Sequence, residues 1–206
     1  MIKTFNTLKR ERCWDELIPV LRDELSAMRP GVNPRSRSRA LNLLVDSLME
    51  MDRFSEALPL AWSQVNLRRR CHSLRITVPG AFFTLGVCLE CLGRLPSASR
   101  AYRMALEVCL GYTDSPISLL FRVALIRTDL KLGLLEQASI HVAEALNEAR
   151  MYPEESFEEE LTRLSRELSA LLGPEGATKA SRRVLFQEME KVAQKVAQSC
   201  FTPLKT

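Results

Sequence analysis

Apolar positions recur along this chain with the period of a helix, and the helices recur with a longer period. Leu41, Leu44, Val45 and Leu48 fall at i, i+3, i+4 and i+7. The same stripe returns as Phe82, Leu85, Gly86 and Leu89, and again as Phe121, Leu125, Ile126 and Leu132. This spacing predicts amphipathic helices with one buried face. The first of them is predicted from about Arg39 to Met51. Each helix is closed by a turn residue, Asp52, Gly93 or Gly133, and glycine there suits a left-handed C-terminal cap. A second stripe follows each turn: Ala57, Ala61 and Val65, then Ala98, Tyr102, Ala105 and Leu106, then Ala138, Val142, Ala145 and Leu146. The anchors Leu17, Ala57, Ala98 and Ala138 are spaced by 40, 41 and 40 residues. A paired-helix unit of that length cannot bury its stripes alone, so the units are predicted to stack.

Composition agrees with an all-helical chain. The 206 residues include only eight glycines and 6% aromatics, a poor match to a sheet protein. The net charge of +4 divides unevenly. Residues 1–112 hold 17 Lys+Arg and 11 Asp+Glu, and residues 113–206 hold 12 and 14, giving +6 and −2. That is a mild polarity rather than a nucleic-acid-binding tail. Six cysteines show no framework spacing, Met1–Phe5 has no long apolar core behind it, and no apolar run approaches the ~20 residues that span a bilayer. A reducing cytoplasmic or nuclear location with no membrane contact is therefore expected.

The large and small positions resemble the tetratricopeptide (TPR) repeat. The fullest agreement is Phe82-x-x-Leu85-Gly86-x-x-Leu89, then Gly93-x-Leu95-x-x-Ala98-x-x-x-Tyr102-x-x-Ala105-Leu106. The ~40-residue step, and Pro19 and Pro59 two residues after their anchors, are similar to the longer repeats of kinesin light chains and spindle-orientation adaptors. Leu17 in place of alanine, Val45 and Ile126 in place of glycine, and Asp129 in place of a large apolar residue depart from the pattern. The resemblance implies an all-α, right-handed superhelical solenoid of four to five antiparallel helix hairpins. Its units would cover approximately 1–30, 38–71, 79–112 and 119–150. A degenerate fifth hairpin or capping pair is expected over 156–200, with Leu161, Leu164, Leu168, Leu171 and Leu172 as its first apolar face.

The resemblance also implies a site. In TPR proteins the outward residues of successive first helices line a groove for a peptide or helix. On this chain those positions are Arg39, Asn42, Asp46 and Met49, then Phe83, Val87 and Glu90, then Val123, Arg127 and Leu130. An apolar centre flanked by charge suits an amphipathic partner segment. The Lys/Asn/Arg clamp that holds Hsp70/Hsp90 C-terminal tails is not matched: its places read Asn42, Asp46, Thr84, Leu120 and Ala124. A second candidate surface is a basic edge of Arg35, Arg37, Arg68, Arg69, Arg70 and Arg75. It fits solvated helix ends, an acidic protein partner or, as the alternative function, nucleic acid. The stacking aromatics expected of a single-strand binder are missing nearby.

Catalytic and metal chemistry find little purchase. With only His72 and His141, no Ser/His/Asp or HExxH set can be assembled, and no Gly-rich phosphate loop is present. Cys88-x-x-Cys91 lies inside a predicted helix. A zinc site there needs two more ligands, for which Cys71-His72 is the nearest source. The positions equivalent to Cys88 are Ser47 and Thr128, so Cys88 reads as a small packed side chain. The expectation is a non-enzymatic adaptor or scaffold subunit without metal or cofactor, binding another protein within a larger complex.

Overall fold

The computed structural model describes residues 13–29, 33–111, 117–151 and 157–173. Within them the chain runs α1 (Trp14–Ala27), α2 (Pro34–Glu50), α3 (Phe54–Arg70), a 3₁₀ helix (His72–Thr77), α4 (Val78–Cys91), α5 (Leu95–Leu110), α6 (Ile117–Lys131) and α7 (Leu135–Ala149). A further helix, α8, covers 157–173, and no strand occurs among the described residues. α2/α3, α4/α5 and α6/α7 are the three hairpins that the turn residues predict. The chain divides into two compact units, Met1–Phe121 and Arg122–Thr206, with the boundary inside α6. The expected helices over 1–10 and 174–200 lie outside the described residues.

The two predicted glycine turns, and the aspartate that replaces glycine in the first, share one backbone solution. Asp52, Gly93 and Gly133 have φ of 55°, 71° and 70°. In each turn an amide reaches back to the last helical turn: Arg53 N to Leu48 O, Arg94 N to Leu89 O and Leu134 N to Asp129 O, at 2.8–2.9 Å. These bonds satisfy carbonyls that the helix end leaves without partners.

α2 begins at Pro34, five residues before the predicted Arg39. Asn33 is its N-cap, accepting a hydrogen bond from Ser36 N at 3.2 Å, and Pro34 occupies the first turn where a missing N–H costs nothing. The Asn-Pro signal outweighed the cluster of Arg and Ser that follows. Between α3 and α4 the chain turns through the 3₁₀ helix, with Leu74 buried beneath it.

The core of the first unit is built from the anticipated stripes. Leu17, Leu44, Val45, Leu48, Ala57, Ala61, Leu85, Ala98, Tyr102 and Ala105 are each at most 1% exposed. α4 packs between α3 and α5. That position accounts for the apolar stretch His72–Cys91, which by length and composition alone could cross a membrane but is half buried within the fold. At Gly86 α4 leaves room for the Tyr102 ring of α5: a Cβ there would lie 2.6 Å from Tyr102 Cδ1.

In the second unit α6 and α7 are joined by polar contacts as well as apolar ones. Arg122 pairs with Glu144 and, at 3.1 Å, with Glu148. Asp129, fully buried, faces His141 at 3.7 Å. Leu161, Leu164 and Leu168 of α8 are buried, whereas Leu171 is 55% exposed. Leu172, also expected on this face, is half-buried, so burial along α8 fades over its last turn.

Candidate functional site

The predicted groove residues fall into three groups. On α2, Arg39 and Asp46 are exposed and Met49 is half-buried, on the side opposite Leu41, Leu44 and Leu48. On α4, Phe83, Val87 and Glu90 are half-buried and spaced one helical turn apart, beside the buried Phe82, Leu85 and Leu89. These two helices thus leave a second, solvent-reached stripe after burying the first. On α6, Arg127 is half-buried, but Val123 and Leu130 are each only 6% exposed. Those two were predicted to line the groove and instead belong to the interior. α6 is apolar on most of its circumference, so the spacing alone could not tell its covered side from its open one.

Several of the groove residues are tied into the fold. Asn42 accepts from Gln64 Nε2 at 2.8 Å and from Arg68 Nη2 at 3.0 Å, and donates to Asp46 Oδ2 at 2.7 Å. Glu90 accepts the Tyr102 hydroxyl at 2.7 Å. The Phe83 ring lies 5.5 Å from that of Tyr102 and 5.3 Å from that of Phe121, centroid to centroid, within the distance range of favourable aromatic pairs. The resulting α4 surface is apolar at its centre and held in place from beneath. It is suited to receive a side chain without first becoming ordered.

The basic edge is smaller than predicted. Arg68 is only 9% exposed. Its guanidinium donates to Ser38 Oγ at 3.1 Å, Thr77 O at 2.8 Å and Asn42 Oδ1, and burial lowers its pKa. Arg68 fastens α2, α3 and the start of α4 and is no part of an open surface. Arg37 donates to the Leu25 and Met28 carbonyls at the end of α1, where a cation meets the negative end of the helix dipole. Arg35, Arg69, Arg70 and Arg75 are exposed. A run of three arginines reads alike in sequence whichever of them turns inward. The buried hydroxyl of Ser38 and the amide of Asn42, 30 and 26 residues away, select Arg68.

Cys88 is fully buried and its thiol is pushed up to about 11, chiefly by burial, so it is a poor nucleophile and a poor ligand. Cys91 is exposed. Among the described residues no three His, Cys, Asp or Glu side chains are grouped as a metal site requires.

The helices follow a TPR-like helical-repeat fold. No family model matches the sequence, and no curated protein matches it significantly. Solved structures do. The apo form of RapI superimposes with a TM-score of 0.72 at 13% identity, over 95% of this chain and 55% of that one. The chain therefore spans about half of the RapI chain. A putative kinesin light chain from Podosopora anserina with nearly identical TPR-like repeats gives 0.68 at 13% identity over 93% of both chains. BtubC (BKLC) from P. vanneervenii gives 0.57 at 16% identity, over 80% of this chain and 65% of that one. At these identities the likeness is one of fold.

Proposed function

We propose that this chain is a non-catalytic adaptor or scaffold subunit that holds a peptide or helical segment of another protein against the open stripe of α2 and α4. The observation that carries the reading is that stripe. Phe83 and Val87 of α4, with Met49 of α2, are half-buried and keep one side open to solvent while the opposite faces of both helices are packed. Partly exposed apolar groups on preordered helices, rimmed by Arg39, Asp46 and Glu90, offer area to a partner with little ordering cost on this side. A reducing cytoplasmic or nuclear setting and a place in a larger complex belong to this reading.

The reading is tested with Met49→Glu plus Val87→Glu, which put two charges on the stripe without touching the Phe83–Tyr102–Phe121 cluster. Wild type and variant are used side by side as bait in extracts of the native cell. Loss of the captured proteins at unchanged circular-dichroism helicity is expected. Capture of the same set by both would overturn the assignment.

A further inference from the structure

Two hollows in the first unit are repeat-equivalent, and the difference between them indicates a ligand. The earlier one, about 540 Å³, lies between α1 and α3 over Leu44 of α2. The later one, about 510 Å³, lies between α3 and α5 over Leu85 of α4. The repeat step relates their linings: Arg22 corresponds to Trp62, Leu44 to Leu85, Glu56 to Ser97 and Pro59 to Arg100, and Arg53, which binds Glu56 from beside the earlier hollow, corresponds to Arg94. The backbones at the two arginine N-caps agree, with φ/ψ of −86°/49° at Arg53 and −85°/54° at Arg94.

The earlier hollow carries its own anion. The Glu56 carboxylate accepts from Arg53 Nε at 2.7 Å and Nη2 at 2.9 Å, and from Arg22 Nη2 at 2.6 Å. Those bonds, Arg53 first, hold its carboxyl below the usual range. In the later hollow Ser97 replaces that glutamate while the cap arginine is kept, and Arg100 is added. Arg94 and Arg100 are both exposed, and neither is paired with a carboxylate among the described residues; Arg100 only donates to Ser97 Oγ at 3.3 Å. Beside them Trp62 and Met104 stand 48% and 38% exposed.

We propose that the hollow between α3 and α5 is a peptide-docking site for an acidic segment of another protein. An Asp or Glu carboxylate of that segment takes, between Arg94 and Arg100, the place that Glu56 fills one repeat earlier. A neighbouring large apolar side chain lies between Trp62 and Met104 over Leu85. Forked guanidinium donors suit a carboxylate, and an apolar floor next to them adds burial that a free ion cannot use. The site differs from the α2/α4 stripe and does not depend on it.

A random 12-mer peptide-phage library selected on the full chain, with counter-selection on Arg94→Glu/Arg100→Glu, tests this. The expected consensus is one large apolar residue with Asp or Glu within three positions. The strongest synthetic peptide, titrated by tryptophan fluorescence, is expected to bind at least tenfold more weakly to the charge-reversed variant. Ser97→Glu is the decisive second variant. It rebuilds the internal carboxylate of the earlier hollow, so it should block the peptide at least tenfold while leaving the thermal midpoint equal to or above wild type. No acidic-apolar consensus, or equal binding to Ser97→Glu and wild type, would overturn the proposal. So would a wild-type dimer in sedimentation that Ser97→Glu dissociates, since the occupant would then be a second copy.

Discussion

At the scale of single residues, the contacts that matter most are those where a small or polar group has no tolerance for change. Gly86 is the sharpest. A methyl at that position would enter the Tyr102 ring, and Tyr102 is itself fully buried and anchored to Glu90. Gly86→Ala is expected to lower stability by ~1–3 kcal/mol, the range for overpacking a tight core, read as a lower midpoint in urea. An unchanged midpoint would mean that α4 and α5 can separate. Arg68 is a polar counterpart. Arg68→Met keeps the stem but strips donors from Ser38, Asn42 and Thr77, with an expected loss of ~1.5–3 kcal/mol, as for hydrogen bonds made by a charged group. Arg68→Lys should rescue little, because one ammonium cannot reproduce the fork. The thiols give a chemical check. Cys91 should be alkylated by iodoacetamide at pH 8 in the native protein. Cys88, buried and with its thiol raised, should react only after unfolding, and mass spectrometry of the labelled peptides distinguishes the two.

At the scale of elements, the repeat is legible because it is written in size and in turns. Ala57, Ala98 and Ala138 are fully buried, and Gly93 and Gly133 take the left-handed conformation that their position after a helical stripe implies. The same turn in the first hairpin is made by Asp52, which adopts φ 55° at some steric cost. Asp52→Gly should therefore be neutral to stabilising, by up to ~1 kcal/mol. Gly93→Ala should destabilise by about that amount, although no atom stands within contact of its missing Cβ. Thermal melts of the two variants check the opposite signs. Other features were harder to read. The start of α2 was set by Asn33 and Pro34 rather than by the apolar stripe. Val123 and Leu130 sit on a helix with little contrast between its faces, and their burial depends on what lies across from them. The inward turn of Arg68 depends on Ser38, in another helix, and no local pattern reports that. The spacing thus marks the helices and their buried stripes, while the residues assigned to the groove are at least partly solvent-reached on α2 and α4 and closed off at Val123 and Leu130 on α6.

At the scale of the whole molecule, a recognisable fold coexists with a sequence that no family model matches. The two are consistent, because a helical hairpin asks only for large and small groups at certain places. Val45, Ile126, Leu17 and Asp129 meet those demands by other means; Asp129, for instance, is buried against His141. Stability in such arrays is a sum of neighbour terms rather than the property of one central core, so it should be graded along the chain. Within the first unit the gradient can be stated. α1 buries Leu17, Ile18 and Leu21, whereas α4 buries eight residues, including Phe82, and is covered by both α3 and α5. Each extra large apolar side chain buried contributes ~1.5–3 kcal/mol, and opening α4 must expose several of them. Local opening then requires less free energy in α1 than in α4. Native-state hydrogen exchange should show amides in the middle of α4 exchanging about a hundredfold more slowly than those in the middle of α1. The α4 part of the stripe proposed for partner binding would then stand on a helix that opens more slowly than α1. Equal protection in the two helices would show instead that the first unit opens all at once. In that case a partner on α4 would stabilise α1 as strongly as the helix it touches.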